Sequence, residues 1–281
     1  MFGWIEKLLK IPAAASSSKE AIQSEINKEP VRRFVQLFEA HGVARTQIPR
    51  FLKNHGVEIS YEDINTDSSL LKRLDEEMLE KSCEIFGVRR EWLDGVDDRI
   101  YPRVGFYKNL SEFTELMSQL QTQSDDIDLI AIKSPKNKLD KNSDSFNSPI
   151  ALVIKIEIGW LGDTPIYRYI PCDDEWNWGY CKARFELKGL ALFAWQFRNV
   201  VFGCHMPQNT INNIIHGVTF PGPEIEAAGH KGHFRLDYMI FTEDESCAAD
   251  DPEEALKVRE YLSDTGDIKN YESKYKPMFF S

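Results

Sequence analysis

Three groups of residues carry side chains with the chemistry to bind or react. The run CDDEWNWGYCK, residues 172 to 182, sets Trp176, Trp178 and Tyr180 beside Asp173, Asp174 and Glu175. Aromatic faces attract cations and stack on planar molecules, and carboxylates add charge. Glu175, Trp176, Trp178 and Tyr180 are therefore candidate ligand-binding residues, although the same spacing also fits a turn whose rings cover a sheet edge. The second group is Cys204, His205, His216, His230 and His233, whose His-x-x-His pair is of the kind that supplies two metal ligands. Its spacing matches no compact zinc pattern, so no metal site is assigned. The third is Lys155 with Glu157, where a carboxylate–lysine nuclease core would want the acid first and the order is reversed. With no GxSxG, no P-loop glycine run and no HExxH, the sequence points away from an enzyme and implies no cofactor.

Elements must hold these groups in place. In the second half, residues 111 to 121 carry Phe113, Leu116, Met117 and Leu120 at helical spacing, and residues 127 to 133 form a strand pattern. Residues 134 to 149 are polar and turn-rich, an exposed loop. Ile150, Leu152, Ile154, Ile156 and Ile158 then alternate, and Gly162-Asp163 turns the chain into a hairpin partner over 166–170. A buried helix is expected over 182–197 and a returning strand over 199–204. A strand is expected over 234–241 and a closing helix over 252–262. The order β-β-β-α-β-β-α implies an α+β domain with a mainly antiparallel sheet.

The front of the chain differs in kind. Residues 31 to 41 (VRRFVQLFEAH) form an amphipathic helix ended by Gly42, and 45 to 53 a second. Ser60 is placed to cap a third short helix, a fourth begins near Leu70, and the longest pattern, 75 to 86, is closed by Gly87. The chain is therefore expected to be multidomain. An amphipathic N-terminal segment and linker would span 1–29, an all-α helical module 30–104, and the α+β sensor or interaction domain 105–281.

Bulk properties narrow the function. A formal net charge of −11 over 281 residues weighs against a broad surface for polyanions. The acid is unevenly spread: residues 28 to 108 hold 14 Lys/Arg against 15 Asp/Glu, and the rest 20 against 30. Contact with nucleic acid is thus expected only at the helical module. No run approaches the roughly 18 uninterrupted apolar residues that a membrane helix needs, so no transmembrane segment is expected. The five cysteines are scattered without a CxxC pair, and no secretory leader precedes them, which implies a reducing cytoplasm. The opening residues MFGWIEKLLKI are amphipathic and fit packing on the chain itself, on a twin subunit or at an interface.

Residues 31 to 101, about a quarter of the chain, resemble the Cro/CI-type (XRE-like) helix-turn-helix regulators of bacteria. Gly42-Val43 ends the first helix, Thr46-Gln47 opens the second, and LEKSCEIFGVRREWLDG, residues 79 to 95, is similar to the family's final helices with their Trp-Leu ending. The resemblance implies a transcriptional regulator that dimerises and binds double-stranded DNA, with its second and third helices at the duplex. Gln47 then takes the position of a backbone contact, and Arg45, Thr46, Arg50, Lys53 and Asn65 complete the candidate DNA-binding set. An unknown small molecule or protein would act as effector near Trp176–Tyr180. The third helix departs from that pattern: VEISYEDINTD, 57 to 67, has four acids and no Lys or Arg. Acids repel phosphate, so the alternative is an adaptor whose degenerate helix-turn-helix no longer binds DNA.

Overall fold

A computed structural model describes residues 29–142, 149–229, 234–246 and 249–275. The amphipathic segment at the N-terminus, His230, His233 and Cys247 lie outside the described residues. The helical part opens with α1 (29–39). A single 3₁₀ turn, Arg45–Gln47, then leads into α2 (Ile48–Asn54), with Pro49 in its first turn where no intrahelical N–H is lost. Next come α3 (Tyr61–Ile64), α4 (Asp67–Arg73), α5 (Glu76–Phe86) and α6 (Arg90–Leu93). Local chemistry sets these boundaries. The Asp63 amide donates to the Ser60 hydroxyl (3.2 Å) while the Ser60 amide donates to the Asp63 carboxylate (2.9 Å), a reciprocal cap on α3. Gly87 ends α5 in the left-handed conformation at φ 68°, which costs a residue without Cβ nothing.

The second part begins with α7 (Leu110–Gln121), followed by β1 (Ile127–Lys133), β2 (Ala151–Leu161), β3 (Thr164–Pro171), α8 (Cys181–Gln196) and β4 (Val201–His205). It continues through α9 (Gln208–Ile215), α10 (Pro221–Ala228), β5 (Phe234–Arg235), α11 (Pro252–Asp264) and α12 (Asp267–Lys274). The five strands form one sheet in the order β3-β2-β1-β4-β5. All neighbours are antiparallel except β1 and β4, which run parallel and need the α8 crossover between them. Residues 234–241, expected as a strand, pair for only Phe234 and Arg235 before curling into a 3₁₀ turn at Asp237–Met239. Asp237 explains the difference: it is buried, which alternation cannot foresee, because Arg235 grips its carboxylate with two hydrogen bonds of 2.8 and 2.5 Å.

The sheet is covered on both faces, so β1 is buried along almost its whole length. Leu129, Ala131, Leu152 and Ile154 face a core shared with α7, α8, α11 and α12. Ile130, Ile132, Ala151 and Val153 face a smaller cluster with α9. A third cluster runs from Val31 through Phe34, Phe38, Phe51, Phe86, Trp92 and Leu93 to Leu161, Ile166 and Phe220. The helical core is thus continuous with the far end of the β2–β3 hairpin and the start of α10. The Ile100 amide donates to the Gly217 carbonyl (2.7 Å) across the same junction. No helix among the described residues is long and apolar enough to cross a membrane.

Candidate functional site

The helical edge proposed to meet DNA divides into two sets. Arg45, Thr46 and Gln47 form the 3₁₀ turn, and Asn65 follows the single turn of α3, exposed as is Thr46. Arg45 is already committed: its Nε donates to the Ile64 carbonyl and its Nη1 to the Asp67 carboxylate, both at 2.7 Å. The Gln47 side chain accepts the Ala44 amide at 3.1 Å, closing the turn. Arg73 is likewise tied down, donating to Asp75 at 2.6 Å and to the Glu58 carbonyl at 2.5 Å.

Arg50 and Lys53 differ. They project from α2 into solvent, and neither pairs with a carboxylate among the described residues. Both line a groove of about 600 Å³ that runs between α2 and α3, with Ile59 on its floor and Tyr61, 64 % exposed, on its rim. Glu58 and Asp63 line the same groove, so its positive side is interrupted. The Ser60 amide and hydroxyl hold the Asp63 carboxyl below its ordinary range, which keeps that negative charge in place.

The run 172 to 182 is split by burial. Trp176 and Trp178, at 1 % and 4 % exposure, belong to the main core, and Trp176 exchanges two backbone hydrogen bonds with Ile150. Tyr107 packs edge-on against Trp176 with centroids 5.8 Å apart. Glu175 and Tyr180 lie on the surface, so the four candidate residues do not share one open face. Asp174 instead accepts the Phe106 amide (2.5 Å) and the Tyr107 amide (3.2 Å), anchoring the segment that leads into α7. The two tryptophans act as core here, and the turn pins the loop.

Beneath Trp178 lies a charged cluster that patterning does not reveal. Arg184 and Lys188 on α8 both donate to the buried Glu254 of α11, Arg184 through Nε (3.0 Å) and Nη2 (2.9 Å). The Lys188 ammonium also sits 5.4 Å from the Trp178 ring centroid, and burial pulls its pKa down. Desolvation raises the Glu254 carboxyl, but its hydrogen bonds to Lys188 and Arg184 outweigh that and leave it below its ordinary value. The only sequence signal was a run of charged residues inside an otherwise apolar helix. All of its strong donors and acceptors answer one another, so the cluster binds two helices together. Among the described residues no group of three His, Cys, Asp or Glu side chains is placed to hold a metal ion.

No family model, curated protein or solved structure matches the chain.

Proposed function

We propose that the chain is an interaction protein whose helical module docks a segment of a partner through the α2–α3 groove. One observation carries this reading: the side chains best placed to hold phosphate are used internally, Arg45 by Ile64 and Asp67, Gln47 by Ala44, and Arg73 by Glu58 and Asp75. That leaves Arg50 and Lys53 as uncommitted cations beside two acids. Specific duplex binders neutralise about 6–10 phosphates, and two cations supply little of that. Two cations beside Tyr61 and Ile59 suit a protein segment that carries a carboxylate next to an apolar side chain.

A second reading, a DNA-binding regulator, draws support from the α1–α2–turn–α3 succession and from the exposure of Arg50 and Lys53. Charge reversal separates the two. The Arg50→Glu/Lys53→Glu variant is expected to lose binding to acidic-aromatic peptides on an array and to gain binding to their lysine-substituted counterparts. Wild-type retention of duplex DNA at about 0.1 M salt, abolished in that variant, would overturn the docking reading in favour of the regulator.

A further inference from the structure

A cavity of about 420 Å³ opens where the C-terminal ends of α2 and α5 meet the β2–β3 hairpin. Its volume lies in the range of small-molecule sites, about 300–1,000 Å³, and such sites favour the meeting of two structural parts. It shares no lining residue with the α2–α3 groove. Ile85 and Ile158 supply its apolar wall. Irregular backbone completes it: the β2–β3 register shifts between Glu157 and Gly159, and a Cβ on Gly159 would stand 3.7 Å from His55 Nε2. Bulges of this kind re-aim side chains and recur beside ligand sites.

Two opposite charges line the cavity, Arg168 on β3 and Glu157 on β2, and they do not pair with each other. Arg168 donates from Nη2 to Gln123 Oε1 (2.9 Å) and from Nη1 to the Glu84 carbonyl (3.4 Å), and meets no carboxylate among the described residues. Its Nε is buried without a partner, and burial pulls the guanidinium pKa down. A cation screened from water and lacking a counter-charge attracts an anion more strongly than an exposed one does. One N–H on each terminal nitrogen remains, a fork that matches a carboxylate. The Gln123 amide nitrogen is a further donor, because its oxygen already accepts Arg168. The Glu157 carboxylate makes no hydrogen bond or ion pair among the described residues. Burial and the nearby Lys81 charge lower the His55 pKa, so its ring is neutral at pH 7 and adds a polar edge without adding charge.

A phosphate would meet Glu157 as a like charge, and a simple amine would meet Arg168. A ligand that carries both signs finds a partner for each. We propose that this cavity binds a free apolar α-amino acid, its carboxylate at Arg168 and Gln123, its ammonium at Glu157 and its side chain along Ile85 and Ile158. The proposal stands independently of what docks at α2. Calorimetry of the full chain with L-leucine, 4-methylpentanoate and 3-methylbutylamine tests it, since the last two each lack one charge of leucine. L-Leucine is expected to bind saturably with a Kd below about 1 mM. Each analogue is expected to bind about 10-fold more weakly or worse. Arg168→Gln should weaken leucine binding by about 10-fold or more. Glu157→Gln should do the same, yet should not weaken 4-methylpentanoate, which has no ammonium to lose. Circular dichroism confirms that each variant is folded. The assignment is overturned if leucine does not bind, if either analogue binds as tightly as leucine, or if folded Glu157→Gln binds leucine as wild type does.

Discussion

The Trp92 ring meets Phe220 edge-on, with centroids 5.3 Å apart and planes at 84°. Trp92 closes the helical part, and Phe220 opens α10 in the sheet-bearing part. Arg33 covers Trp92 as well, its guanidinium carbon 5.5 Å from the ring centroid and its Nη1 donating to the Trp92 carbonyl at 2.6 Å. Trp92→Ala should therefore destabilise the whole chain by about 3–5 kcal/mol. A double-mutant cycle with Phe220→Ala, read by urea unfolding, should return a coupling of about 1 kcal/mol. Zero coupling would mean that the two rings are energetically independent.

His41 gives the fold a predictable response to acid. It is buried against Phe86, centroid to centroid 4.4 Å, and Phe220, 5.6 Å, and its Nδ1 lies 2.7 Å from the Leu37 carbonyl. Burial lowers its pKa from 6.5 to about 4. Between those values the unfolded chain binds a proton that the folded chain refuses. This contribution to stability is therefore complete above pH about 6.5 and lost as pH falls toward 4, by up to about 3 kcal/mol. Urea titrations of wild type and His41→Leu at pH 7 and near pH 4.5 isolate the effect. The variant should lose less stability on acidification, and equal losses would contradict the assignment.

Glu254 bridges Arg184 and Lys188 within the core. Glu254→Gln leaves two buried cations without a counter-charge, and a loss of about 3–5 kcal/mol is expected. The triple variant Arg184→Met/Lys188→Met/Glu254→Leu removes the three buried charges together, leaving Lys141 to its partner Asp251, and should recover most of that loss. Denaturant midpoints compare the three proteins. A triple variant as unstable as Glu254→Gln would show that the cluster supplies more than mutual neutralisation.

Features governed by neighbours in the chain were legible before the fold was known. β1 begins and ends where its apolar run does, the two-residue turn at Gly162 and Asp163 joins β2 to β3, and Ser60 caps α3. α10 was hidden because its opening residues, Pro221, Gly222 and Pro223, look like breakers, although proline in a first turn forfeits no helical hydrogen bond. Gly222 has a tertiary reason as well: a Cβ there would stand 2.8 Å from the Tyr169 ring. α9 carries no capping side chain to announce it. The sequence left the rings of Trp176 and Trp178 open between a ligand box and a cover for the sheet edge, and it gave no sign of the burial of Lys188. What decides Trp176 and Lys188 is a partner distant in sequence, Ile150 for Trp176 and Glu254 on α11 for the charges of α8. Among the residues named for DNA contact, internal hydrogen bonds commit Arg45 and Gln47, and of the cations Arg50 and Lys53 reach solvent uncommitted.

The cluster that joins Val31 and Trp92 to Leu161, Ile166 and Phe220 also bears on how a signal could move through the molecule. A hinge needs a seam that few contacts cross, and here aromatic and aliphatic side chains fill the seam. Close-packed interiors are stiff and transmit strain without flowing. Within this cluster a displacement at Ile166 or Phe220 would be passed to α2 through packed side chains. The helical module would move with the hairpin and would not swing free of it.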